Sequence, residues 1–183
     1  IDRRPEGVMI RDNQGGLEIY DRVIVAAHSD QALRMLGDPS DAEREILGAI
    51  PYQPNDTVLH TDETLLPKKQ KAWAAWNYHV PKDEREAAGV TYNMNILQHL
   101  PAQEQYCVTL NRSDEVSEKR ILRQMEYHHP VYTTKGVQAQ QRWDEINGVR
   151  STYFCGAYWG YGFHEDGVKS ALRVCHEFGK ELV

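Results

Sequence analysis

The sequence predicts an α+β fold in which a strand-rich antiparallel middle lies between two pieces of an α/β nucleotide-binding layer. Three observations predict it. Val23-Ile24-Val25-Ala26-Ala27 is a continuous apolar, largely β-branched run, the pattern of a parallel strand buried on both faces. Tyr153-Phe154-Cys155 is a second short apolar run. It leads through glycines 156, 160 and 162 into a helix where Val168, Ala171, Leu172, Cys175, Phe178 and Leu182 recur at helical spacing. Between these ends, residues 57–61, 72–80, 91–97 and 106–110 read as antiparallel strands separated by Pro, Asn, Asp and Lys clusters.

Taken in order, residues 8–11 and 17–20 flank Asp12-Asn13-Gln14-Gly15-Gly16 and read as a hairpin. After the first buried strand, Ser29 is placed to cap a short helix over 30–36. Ser40-Asp41-Ala42-Glu43 is a capping box, so a second helix starts there and stops before Pro51. Residues 84–88 suggest a helical turn. Residues 117–125 mix helical and extended signals and are assigned to a helix leading into 127–132. A further helix is expected over 138–146. No internal repeat, low-complexity tract or coiled coil is present.

Composition bounds the function. The chain has 183 residues, 40% hydrophobic and 26% charged, with a net charge of −6. That charge argues against a nucleic-acid surface. No apolar run is long enough to span a membrane, and no secretory pattern opens the chain. Three widely spaced cysteines, Cys107, Cys155 and Cys175, read as reduced core residues of a cytoplasmic protein. The first residue is Ile, and the chain leads at once into strand pattern, which suggests a fragment.

Metal and nucleophile chemistry find little support. Four residues after His164 stands Val168, so the HExxH spacing fails, and no cysteine pair has ligand spacing. No metal is expected. There is no GxSxG elbow. Cys155 sits inside a strand and reads as buried and inert. Trp73, Trp76 and Tyr78, with Tyr92 on another strand, fit either the core of the sheet or the wall of an apolar substrate cavity; core is the commoner outcome at strand spacing.

The stretch from Tyr153 to Gly167 carries the chemistry. Glycines let a backbone come close to a ligand, and a helix start offers unpaired N–H groups. Strand–glycine–helix turns are also common packing joints. Glu165 and Asp166 in the first helical turn suit the helix dipole but would repel a phosphate. The geometry therefore suits a neutral polar or weakly anionic group.

Tyr153-Phe154-Cys155-Gly156-Ala157-Tyr158, followed by Gly162-Phe163-His164-Glu165-Asp166-Gly167-Val168-Lys169-Ser170-Ala171, resembles the C-terminal flavin motif of the flavin-containing amine oxidoreductase superfamily. That superfamily includes monoamine oxidases, protoporphyrinogen oxidases and phytoene desaturases. Tyr20 through Leu33, Ile50 through Asn55, Leu59-His60-Thr61-Asp62 and Ala72 through Tyr78 are similar to a bacterial branch of NAD/FAD-binding proteins. The resemblance implies that Gly156, Ala157 and Tyr158 lie along the ribityl–pyrophosphate part of a non-covalent FAD. It implies that Gly162, Phe163 and His164 face the flavin ring, with the His164 N–H near the N1/C2 carbonyl. Phe163 matches an aromatic position that is often Tyr in amine oxidases.

One departure is large. The family begins with a glycine-rich βαβ unit for the ADP moiety, and no GxGxxG occurs here. The expected organisation is therefore residues 1–36 as part of the FAD-binding layer, 37–150 as an α+β substrate domain, and 151–183 as the flavin-facing strand and helix. The expected function is that of a C-terminal fragment of an FAD-dependent oxidoreductase that passes a hydride from an organic substrate to flavin. The fragment alone should bind FAD weakly or not at all. Trp76, Tyr78 and Tyr92 are the candidate substrate residues, and the branch points by association to an apolar or lipid-like small molecule. The alternatives are a non-catalytic binding domain and a subunit completed by a separate ADP-binding chain. Catalytic base, electron acceptor and oligomeric state are not legible.

Overall fold

The computed structural model describes residues 1–80 and 89–182. In chain order its strands and α-helices are β1 (Asp2–Arg4), β2 (Gly7–Arg11), β3 (Leu17–Tyr20), β4 (Val23–Ala26), α1 (Ser29–Met35), α2 (Asp41–Leu47), β5 (Tyr52–His60), β6 (Trp76–His79), β7 (Gly89–Asn93), α3 (Met94–Leu97), β8 (Cys107–Leu110), β9 (Ile121–Pro130), α4 (Thr134–Gln140), β10 (Thr152–Cys155) and α5 (His164–Glu177). The fold is mixed α+β and forms two compact units, one of Ile1–Gln53 with Pro130–Val183, the other of Pro54–His129.

In the first unit, β1, β2 and β3 form an antiparallel sheet, with Arg11 opposite Leu17 across the expected loop. Asp12 Oδ1 closes that loop by accepting the N–H groups of Gln14 and Gly16, both at 2.8 Å. β4 and β10 pair in parallel, Val23 opposite Thr152 and Ala26 opposite Cys155, although 129 positions separate Val23 from Thr152 in sequence. Parallel pairing of the two apolar runs is the expected arrangement. Burial on both faces of β4 is not found. Val25 is buried, but Ile24 and Ala26 are exposed, because α5 covers that face of the pair over β10, whose four residues are all buried, and leaves it open over β4.

The core beneath the other face joins Val25 and Phe154 to Ile46, Leu47, Ile50, Ala139, Ile146 and Tyr158. By packing, residues 37–53 and 130–150 thus belong with the parallel pair, whereas only the central part of the span 37–150 forms the separate unit. Ser40 starts α2 as expected: its hydroxyl accepts the Glu43 N–H at 3.2 Å, and Glu43 accepts the Ser40 N–H at 2.7 Å. Glu43 is also buried against Arg3, at 2.6 and 2.8 Å. The expected helix over 138–146 instead begins at Thr134, because the Thr133 hydroxyl accepts the Gly136 N–H at 3.0 Å. It ends at Gln140, and a 3-10 turn follows over Trp143–Glu145. On α5, Ser170 and Val174 are buried, with Ala171 and Phe178 packed beside them. Val168 and Leu182 of the expected apolar stripe are exposed, Leu182 lying beyond the end of the helix.

The second unit is built on a five-stranded sheet in the order β6-β7-β8-β5-β9. The pairs β6–β7, β7–β8 and β8–β5 are antiparallel. Several elements differ from expectation for local reasons. Residues 72–75 are not strand, since the Asn77 side chain bonds both the N–H and the C=O of Ala74 and closes a loop. β7 stops at Asn93, whose side chain accepts the Ile96 N–H and starts α3. Residues 117–125 form one 3-10 turn at Glu118–Arg120 and then strand β9, which pairs at the edge of β5. The helical turn expected at 84–88 lies outside the described residues.

Candidate functional site

The carboxyl ends of adjacent parallel strands open onto the crevice where α/β layers bind ligands. In the first unit these ends are Ala26 and Cys155. Strand β10 is held there by Asn147, whose Oδ1 accepts the Phe154 N–H at 2.6 Å. The chain then leaves the sheet at Gly156, whose N–H donates to Ser170 Oγ on α5 at 3.0 Å. A 3-10 turn at Ala157–Trp159 follows, and Gly162 N–H returns to the Ala157 carbonyl at 3.2 Å.

Gly162 adopts φ +85°, a left-handed conformation that L side chains rarely take. A β-carbon there would also lie 2.6 Å from Tyr132 Oη. The turn is braced from two sides. Asp166 Oδ2 accepts the N–H groups of Tyr161 and Phe163, each at 3.0 Å. Gln140 Nε2 donates to the carbonyls of Tyr158 and Gly160, at 2.8 and 2.7 Å. Among the described residues the His164 and Glu165 N–H groups donate to no protein acceptor, as expected at the first turn of a helix. With the dipole of a 14-residue helix behind them, they can take an electron-rich acceptor.

The strand ends contribute a second set of groups. His28, just beyond β4, stacks on Tyr52 with ring centroids 4.7 Å apart. Tyr52 Oη accepts the Ser29 N–H at 3.0 Å. His28 Nδ1, Asp30 Oδ1 and the Tyr158 hydroxyl are buried without a hydrogen-bond partner. Tyr158 is only 3% exposed. Burial drives its phenol well above the ordinary range, so it is a neutral donor. A buried polar atom left unpaired costs about 1–3 kcal/mol, so His28 Nδ1 and Asp30 Oδ1, just beyond β4, would gain from an additional polar partner.

All six expected cofactor residues thus lie in one continuous turn. Gly162, Phe163 and His164 are exposed, whereas the Tyr158 ring is interior and presents only its backbone outward. His28, Asp30, Tyr52, Tyr132, Gln140 and Asp166 escape a sequence reading of the site. Five of them come from other segments; only Asp166, three residues after Phe163, carries a local signal for its capping role.

Trp76, Tyr78 and Tyr92 belong to the second unit. Trp76 faces Tyr92 across the β6–β7 pair, edge to face at 5.3 Å. Core was the commoner expectation, and it fails: Trp76 is 54% and Tyr78 61% exposed. Registers put Trp76, Tyr92, Val108 and Leu59 in one row and Tyr78, Val90 and Leu110 in the next, all on one face. That apolar face is only partly covered. On the opposite face His60, Thr91 and Thr109 are buried beside Val58 and Cys107. There His60 Nε2 meets Thr109 Oγ1 at 2.7 Å, Thr109 meets Thr91 at 2.9 Å, and Asp62 N–H donates to His60 Nδ1 at 3.0 Å. The three cysteines are free, and burial raises Cys107 to about 12 and pushes Cys155 up as well. Among the described residues no three His, Cys, Asp or Glu side chains group as a metal would require, and no helix is long and apolar enough to cross a membrane.

No protein-family model and no curated protein matches the chain. Solved structures do. A fatty acid isomerase from P. acnes that produces CLA superposes with a TM-score of 0.65 at 15% identity, covering 97% of this chain and 46% of that one. A reduced UDP-galactopyranose mutase gives 0.63 at 14% identity over 98% and 46%, and a redesigned putrescine oxidase 0.60 at 9% identity over 97% and 46%. These likenesses, all at 15% identity or less, show a shared fold. The chain spans somewhat less than half the length of these structural neighbours.

The residues present fit one part of a flavin cofactor. The free N–H pair at the start of α5 and the unpaired atoms of His28 and Asp30 suit its polar edge and chain. The adenine end has no counterpart in the sequence, which contains no GxGxxG.

Proposed function

We propose that the chain is the C-terminal part of an FAD-dependent oxidoreductase, carrying the flavin-facing turn and a sheet that binds an apolar substrate. The observation that carries the reading is the braced turn, which leaves the His164 and Glu165 N–H groups free at the end of a parallel strand pair. When bound, the flavin supplies a two-electron acceptor for a hydride. The chain's own part is positional. The N–H groups of His164 and Glu165 hold an electron-rich carbonyl where negative charge gathers on reduction. Phe163, Tyr161 and Tyr132 give the exposed side of the turn an aromatic rim. Gly156, Ala157 and Tyr158 guide the cofactor's chain past the strand end.

The exposed apolar face with Trp76, Tyr78 and Tyr92 supports an apolar, lipid-like substrate, and a fatty acid isomerase among the structural neighbours agrees with that class. Neighbours that include an isomerase, a mutase and an oxidase leave the net reaction to the residues around the flavin, since fold does not determine chemistry. Three free cysteines and a net charge of −6 fit a cytoplasmic enzyme that does not bind nucleic acid.

The test joins the chain to an ADP-binding half, encoded upstream or supplied as a second polypeptide. The joined protein should purify yellow with near-stoichiometric FAD, and candidate fatty acids and amines should bleach it without oxygen. A joined, folded protein that takes up no flavin would sink the proposal.

A further inference from the structure

The braces on the turn come from opposite directions. Asp166 collects N–H groups and Gln140 collects carbonyls. Both Asp166 bonds converge on Oδ2, so one oxygen ties Tyr161 and Phe163 back to the first turn of α5. Room for that carboxylate exists only because position 160 has no side chain: a β-carbon at Gly160 would lie 2.5 Å from the Asp166 carboxylate. Gln140 reaches the same glycine from α4 and holds its carbonyl at 2.7 Å. Two helices distant in sequence thus meet the turn's backbone, and neither side chain is spent on the exposed side.

We propose that Gln140 and Asp166 are positioning residues for the cofactor-facing turn, fixing which of its N–H groups are consumed and which are presented. Four hydrogen bonds carry the inference. Two of the N–H groups at the helix entry, those of Tyr161 and Phe163, are filled internally by a carboxylate. The pair at His164 and Glu165 remains for the ligand. An internal anion beside that pair also selects a neutral or weakly anionic acceptor over a phosphate. That the acceptor is a flavin rests on the function proposed above; the bracing does not.

Three variants separate the parts. Asp166→Asn keeps an oxygen acceptor and removes the charge, Asp166→Ala removes both, and Gln140→Leu removes the donors. The first readout is amide hydrogen exchange in the 183-residue chain without cofactor. Tyr161 and Phe163 should exchange at least tenfold faster in Asp166→Ala than in wild type, with Asp166→Asn close to wild type. The second readout is FAD content and visible circular dichroism of the joined protein. Asp166→Ala and Gln140→Leu should lose FAD affinity at least tenfold while the thermal midpoint of the apoprotein falls by only a few degrees, and Asp166→Asn should retain most of it. Unchanged exchange in Asp166→Ala would overturn the proposal whatever the wild type binds. Faster exchange with FAD affinity intact would overturn it too, by showing that the bracing does not serve the cofactor. Wild type that folds but takes no FAD overturns the cofactor reading instead, and exchange alone then judges the bracing.

Discussion

At position 162 a hydrogen atom is all the side chain that fits. Two separate costs meet there, a left-handed φ and the Tyr132 hydroxyl lying 2.6 Å from the missing β-carbon. They can be told apart. Gly162→Ala should destabilise the chain by roughly 1–3 kcal/mol, and Tyr132→Phe in that background should recover the steric part but leave the backbone strain. Urea unfolding of the two single variants and the double variant measures the coupling; strictly additive effects would show that the hydroxyl is not the obstacle. His164→Ala should be mild by comparison, since the useful group is the backbone N–H. Retained flavin with lost substrate-driven reduction in His164→Ala would assign the imidazole a catalytic part. A second residue-scale prediction concerns His60. Burial lowers its pKa, and its Nδ1 already accepts the Asp62 N–H, so protonation would set two donors face to face. The unfolded chain binds a proton near the ordinary value of about 6.5 and the folded chain does not. Stability contributed by neutral His60 is therefore full above that pH and declines as pH falls below it. The thermal midpoint should drop between pH 7 and 5, and His60→Gln should flatten that slope.

At the scale of elements, the second unit buries polar groups and exposes aromatic ones. One face of its sheet carries the hydrogen-bonded His60, Thr109 and Thr91 beside Val58 and Cys107, and its partly exposed face carries Trp76, Tyr78 and Tyr92. Trp76→Ser and Tyr78→Ser should consequently change stability by less than about 1 kcal/mol, as exposed positions do. They should weaken binding of a fatty-acid probe followed by tryptophan fluorescence or calorimetry. A large loss of stability would restore the core reading for this face. Helix α2 behaves conventionally, and Ser40→Ala should cost about 1 kcal/mol through loss of its cap. Denaturant midpoints at constant slope give the value.

For the whole molecule, the decisive expectation is weak cofactor binding. The described fold supplies the turn at one end of the proposed flavin but no glycine-rich turn for the diphosphate. FAD added to the 183-residue chain should show at most weak quenching of flavin fluorescence. A submicromolar dissociation constant would mean that this part alone suffices. The exposed Ile24 on β4 points the same way, because a strand of a parallel layer is ordinarily covered on both faces.

Much of the local structure was legible because short-range chemistry decides it. The hairpin around residues 12–16, the Ser40–Glu43 box, the two apolar strands and the glycine turn into α5 each depend on residues within a few positions of one another. The parallel pairing of residues 23–26 with 152–155 was also foreseeable, since two continuous apolar runs need a common interior. Tertiary structure alone decided the rest. Residues 121–130 became strand because an edge of β5 was open to them, overriding a mixed local signal. The sheet's buried side could not be inferred from alternation, because alternation separates two faces without saying which one meets the interior. Tyr132 and Gln140 reach the turn, and Tyr52 reaches His28, from other segments, and no spacing in the chain encodes contacts that exist only once those segments have packed.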